Sequence, residues 1–101
     1  MKKLQNEVKQ SINNEYDRAA KKFGPKNNSL HESYAVILEE FEEAQLELDL
    51  FKTFLRNFWN NTKENNSESA FNNLKDMQER AEQAACELIQ VAAMCHKASL
   101  S

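Results

Sequence analysis

The chain has one glycine, Gly24, and one proline, Pro25, and the two are adjacent. A β-sheet protein of 101 residues needs several turns with glycine, asparagine or proline signals between short β-branched runs. Here Glu, Lys, Gln, Ala and Leu dominate, so the composition predicts an all-α fold. A single glycine also excludes a glycine-rich phosphate loop. No apolar run approaches the ~18 residues a membrane span needs, and no segment reads as a signal peptide. Cys86 and Cys95 are the only cysteines, and neither a CxxC pair nor a Cys/His zinc spacing is present. Nine residues apart on one predicted helix, they project to opposite sides and cannot pair with each other. They read as reduced, buried thiols of a cytoplasmic protein. Asn27-Asn28-Ser29, Asn60-Asn61-Thr62 and Asn65-Asn66-Ser67 then read as loop chemistry rather than glycosylation sites.

What the chain does have is a 41% share of hydrophobic residues and an uneven charge. Its length suits one domain, residues 1–101, with a small core that self-association would enlarge. The net charge of −3 argues against a general nucleic-acid binder. Residues 1–26 carry seven Lys/Arg against three acids, whereas residues 39–49 carry six acids and no base.

Hydrophobic periodicity predicts three helices. Leu4, Val8, Ile12, Tyr16, Ala20 and Phe23 mark the first, over 2–23, stopped by Gly24-Pro25 with the glycine in a left-handed conformation. Ser29-Leu30-His31-Glu32 reads as a capping box for a second helix running to about residue 60. Its apolar stripe runs through Leu30, Tyr34, Ile37, Leu38, Phe41, Ala44, Leu48 and Leu55, while Leu46, Leu50 and Phe54 lie elsewhere. A helix apolar on more than one side has more than one partner, which points to a subunit interface. "NNTKENN", residues 60–66, reads as the second loop and Ser67 as the cap of a third helix over about 68–98. That helix shows a stripe through Phe71, Leu74, Met77, Ala81, Ala84, Ala85, Leu88, Ala92 and Cys95. Two long helices joined by a short loop predict an antiparallel hairpin.

Chemistry concentrates in the carboxylates. On helix two, Glu40, Glu43 and Glu47 follow one border of the stripe, and Glu39 and Asp49 point elsewhere. On helix three, Gln83, Glu87 and Gln90 border the other stripe. In an antiparallel hairpin these borders face each other, which predicts Glu40, Glu43 and Glu87 as acid ligands with Gln90 as a neutral oxygen. Hard divalent cations take such donors, although acid-rich helices also give this pattern as a solvated face. No Ser/His/Asp or Cys/His catalytic set is evident. Phe54, Phe58 and Trp59 read as packing residues and His96 as exposed.

"EEFEEA" (39–44), followed by "ELIQVAAM" (87–94), resembles the two-part E-E-x-x-E and E-x-x-D signature of MazG-like nucleotide pyrophosphohydrolases. "RAAKKFGPKNNSLHESYAVILEE" (18–40) and "ELIQVAAMCHKA" also resemble a compact bacterial and phage branch of that family, so the similarity covers most of residues 18–98. The resemblance implies a helical bundle completed by oligomerisation, as a homodimer or homotetramer. It implies Mg²⁺-dependent hydrolysis of a nucleoside triphosphate to a monophosphate and pyrophosphate. Its metal ligands fall on Glu40, Glu43, Glu87 and Gln90, with Glu39 as the leading glutamate and candidate proton acceptor. Lys21, Lys22, Lys26 and His31 are the candidate substrate contacts. Gln90 departs from the family aspartate and loses a negative charge, which weakens Mg²⁺ binding and makes a non-catalytic assembly or adaptor the rival reading.

Overall fold

The computed structural model describes residues 1–100, and no strand is present among them. Three helices follow in order: α1 (Lys2–Phe23), α2 (Leu30–Lys63) and α3 (Ser67–Ser99). By mutual packing they divide into two units. The first joins Met1–Glu42 to the chain from Cys86 onward, and the second is Glu43–Ala85.

The helix ends follow local chemistry. Gly24 has φ 91° and ψ 159°, so its positive φ is as expected. Its ψ is extended rather than left-handed helical, so the helix does not continue past it. Its N–H still donates to the carbonyl of Ala20 at 2.9 Å. Ser29 caps α2 as predicted, its Oγ accepting from the Glu32 N–H at 3.1 Å. Glu32 reaches back one residue further than a standard capping box, accepting from the Asn28 N–H at 3.3 Å.

The second joint is shorter than the sequence implied. α2 continues through Lys63, and Asn65 takes the left-handed φ of 57°. The Asn66 N–H donates to the Asn61 carbonyl at 2.9 Å and the Asn65 N–H to the Thr62 carbonyl at 3.1 Å. These two bonds form a Schellman motif with asparagine in the place glycine usually takes. The cap of α3 is Asn66, whose Oδ1 accepts from the Ser69 N–H at 3.2 Å. Ser67, the expected cap, is instead the first helical residue.

The largest departure is rotational. Along α2 the less exposed positions, apart from Val36 beside Ile37, are Ser33, Ile37, Glu40, Ala44, Glu47, Phe51, Phe54, Phe58 and Asn61. Steps of four and three alternate throughout, which is the heptad spacing of a coiled-coil seam. On α3 the matching series runs through Ala70, Asn73, Met77, Arg80, Ala84, Glu87, Val91, Met94 and Ala98. The predicted stripes coincide with these seams only in part: Ile37, Ala44, Met77 and Ala84 lie on them, whereas most of the larger stripe residues lie to one side. Leu30, Tyr34, Leu38, Phe41, Leu48 and Leu55 of α2 are exposed, as are Phe71, Leu74 and Leu88 of α3. Cys86 and Cys95 are free but exposed, which corrects the expectation of buried thiols.

Polar pairs explain the rotation. In the second unit, Arg80 donates to Glu47 at 2.8 Å and Asn61 donates to Asn73 at 2.7 Å. Earlier residues of one helix meet later residues of the other, so the pair is antiparallel. Alanines at 44, 70 and 84 allow close approach between these contacts. Arg80→Ala should cost about 1 kcal/mol, because the ion pair is partly solvated. The urea midpoint measures it, and an unchanged midpoint would show the pair to be idle.

In the first unit, Ala19, Ala93 and Met94 form a small core, with Ile12, Tyr16, Val36 and Ile37 packed against it. Small residues on α1 and α3 bring those helices together, which fixes α1 beside the site described next. Tyr16 adds an edge-on contact with His96 at 4.9 Å and donates its hydroxyl proton to the Pro25 carbonyl at 3.1 Å. No helix among the described residues is long and apolar enough to cross a membrane.

Candidate functional site

Glu40 occupies a seam position of α2, and Glu87 and Gln90 lie on the facing part of α3. Glu43 follows Glu40 by three residues on the same unbroken helix, hence on the same side. One carboxylate oxygen from each of Glu40, Glu43 and Glu87 lies within 4.8 Å of the other two. Two full charges at that spacing repel by on the order of 3 kcal/mol at a near-surface dielectric, and exposure of Glu43 reduces this.

Gln90 offsets part of the repulsion. Its neighbours are satisfied only when the amide nitrogen faces the acids. It then donates to Glu40 Oε2 and to Glu87 Oε2, each at 2.9 Å. With the amide assigned this way from its hydrogen-bond network, it acts as a donor that bridges two carboxylates, and the oxygen expected as a neutral ligand faces away. Presenting its oxygen to a cation requires a half-turn of the amide plane. The donor set is otherwise all oxygen, with no imidazole or thiolate, which suits a hard divalent ion that keeps several waters.

A cavity of about 300 Å³ opens beside these residues within the first unit. Glu40 and Gln90 line it, together with Arg18 and Glu15 of α1, Glu32 near the start of α2, and Lys97 of α3. Its apolar wall comes from Ala19, Val36 and Met94. Arg18 donates through Nη2 to Glu15 Oε1 at 2.6 Å and through Nε to Glu15 Oε2 at 3.0 Å. The bonded Arg18 guanidinium holds the Glu15 carboxyl below its usual range, and Glu15 in turn raises the Arg18 pKa. Glu40 adds a weaker electrostatic pull on the same guanidinium.

The other expected residues fall outside this group. Glu39 is exposed and is not one of the three clustered acids. Glu47 is engaged with Arg80. Lys21, Lys22 and Lys26 are exposed and none lines the cavity; Lys22 instead lies 5.2 Å from the centre of the Phe23 ring. His31 borders a shallow hollow with Leu30 and Tyr34. Sequence reasoning passed over Arg18 and Lys97. Arg18 sits three residues after Glu15, which reads as an ordinary surface pair, and Lys97 lies in the last turn of α3, which reads as dipole compensation. The usable signal for Arg18 was its place next to Ala19 on the inward side of α1.

No protein-family model, curated protein or solved structure matches this chain.

Proposed function

We propose that the chain is a Mg²⁺-dependent nucleoside triphosphate pyrophosphohydrolase of the MazG-like kind, cytoplasmic and self-associating. The observation that carries the reading is the convergence of Glu40, Glu43 and Glu87 from two helices, with a nucleoside-sized cavity alongside. Those three carboxylates, with Gln90 after its amide turns, would hold the ion. Bound there, Mg²⁺ would supply neutralisation of phosphate charge.

The chain's own groups do the rest. The apolar wall of Ala19, Val36 and Met94 receives the nucleoside and excludes water from that side. One water oxygen bonds to phosphorus, the bridging bond to the pyrophosphate breaks, and a proton passes to a carboxylate. Glu39 remains the candidate for that proton, because it adjoins Glu40 in the chain and stands outside the three carboxylates that would hold the ion. Self-association accounts for Leu38, Phe41, Leu48, Leu55 and Trp59, which lie exposed along α2 and would need covering.

The test is pyrophosphate release from a panel of ordinary and modified nucleoside triphosphates, with and without Mg²⁺. Magnesium-dependent release from any of them supports the reading. Gln90→Asp should bind Mg²⁺ roughly tenfold more tightly, because a carboxylate replaces an amide that must turn to ligate. Calorimetric titration of Mg²⁺ measures this, and equal affinity in both proteins would argue against Gln90 as a ligand.

One observation favours the non-catalytic alternative. The Gln90 nitrogen already satisfies Glu40 and Glu87, so the acids have a partner without any cation. A protein that releases no pyrophosphate and gains no stability from Mg²⁺ would be a helical adaptor.

A further inference from the structure

The cavity in the first unit carries two cationic side chains of different character. Arg18 comes from α1, and its side chain is 56% exposed. Lys97 comes from α3 and is 5% exposed, so its charge is held inside the protein wall. Both line the same space as Glu40 and Gln90.

Arg18 is held in a fixed plane. Glu15, one turn earlier on α1, takes Nε and Nη2 in a two-point contact. A guanidinium has five N–H donors, so about three remain for a ligand in that orientation. A planar fork with free donors suits a phosphate group better than a lysine point charge does.

We propose that Arg18, with Lys97 behind it, forms the phosphate-binding end of this cavity, that Glu15 positions Arg18, and that the group bound is the pyrophosphate portion of a nucleoside triphosphate. The inference rests on the pyrophosphohydrolase reading for the identity of the ligand, but not for the anion site itself. It also replaces Lys21, Lys22 and Lys26 in that role.

Charge balance adds a second feature. Arg18 and Lys97 face three carboxylates in the cavity, Glu15, Glu32 and Glu40. The net charge opposes an anion until a divalent cation neutralises part of it. Pyrophosphate and Mg²⁺ therefore bind cooperatively, each tightening the other by the same factor.

The experiment titrates inorganic pyrophosphate into the intact protein by calorimetry, with and without Mg²⁺, and titrates Mg²⁺ alone. Arg18→Gln should weaken pyrophosphate binding roughly 10- to 100-fold, the loss expected for a charge-assisted contact. Arg18→Lys should recover part of the loss. Lys9→Gln, a change elsewhere on α1, should leave binding as it is. Arg18→Gln should not weaken the affinity for Mg²⁺ alone, and loss of the positive charge near Glu40 should raise it slightly. Wild-type affinity in Arg18→Gln overturns the proposal, as does wild-type protein that binds no pyrophosphate under either condition. Arg18-dependent pyrophosphate binding without any Mg²⁺ binding upholds this site while removing the metal reading. Magnesium binding with pyrophosphate binding indifferent to Arg18 does the reverse.

Discussion

Glu40→Gln is expected to lower the magnesium-dependent release of pyrophosphate by about two orders of magnitude, the loss typical when one electrostatic stabiliser is removed from a reacting site. The change keeps size and shape and removes one charge from a group whose oxygens lie within 4.8 Å. It also turns an acceptor of the Gln90 amide into a partial donor, so the bridge between α2 and α3 at this level is weakened. Two effects then oppose each other. Without Mg²⁺, the loss of repulsion leaves the fold as stable or slightly more stable. With Mg²⁺, the rise in melting temperature expected for the wild type should disappear. Glu42→Gln provides the control, since Glu42 is exposed and outside the acid group. Equal turnover and an equal response to Mg²⁺ in Glu40→Gln would remove the metal from the mechanism.

Ala93→Leu should destabilise the first unit by about 1–3 kcal/mol, the usual cost of overpacking a tight core. Ala93 is 0% exposed and touches the point where Ala19 and Met94 meet. A leucine there must push α1 outward or adopt a strained rotamer. In a chain of this length the melting temperature should fall by on the order of 10 °C. Because α1 carries Arg18 and Glu15, the same change should also weaken pyrophosphate binding. Ala35→Leu, at an exposed position, serves as the comparison. An unshifted melting temperature in Ala93→Leu would mean that α1 is not held against α3 at this point.

The helices were legible because their signals are local. The first helix follows its apolar repeat from Lys2 to Phe23, and Ser29 caps the second as its side chain allows. The inward face was legible only in part: Ile37, Ala44, Met77 and Ala84 turn inward as read, and most of the larger apolar residues do not. A helical wheel weights Leu30, Phe41 and Leu48 by size, yet all three are exposed. The seam instead admits Glu47 and Asn61 because each finds a partner on α3, Arg80 and Asn73. Such pairing across the hairpin has no trace in a single helix. The loop was overestimated for a related reason, since Asn65 took the left-handed position usually marked by glycine.

For the site, the spacing of Glu40, Glu43 and Glu87 was enough to place them together, because three-residue steps and an antiparallel partner constrain them strongly. The direction of the Gln90 amide was not readable, since it depends on two carboxylates that only the folded chain brings near. Arg18 and Lys97 were missed because only a cavity walled by all three helices brings them together, whereas Lys21 and Lys22 stood out merely by lying at a helix end.

Gly24 combines a φ of 91° with open space, for a β-carbon built there meets nothing within 4 Å. Any penalty for a side chain at this bend is thus a matter of handedness alone. An L-alanine must bear the unfavourable torsion although it has room, whereas a D-alanine, introduced by chemical synthesis, finds the same torsion among its natural ones. The mirror-image residue would stiffen the exit from α1 without displacing a single neighbour.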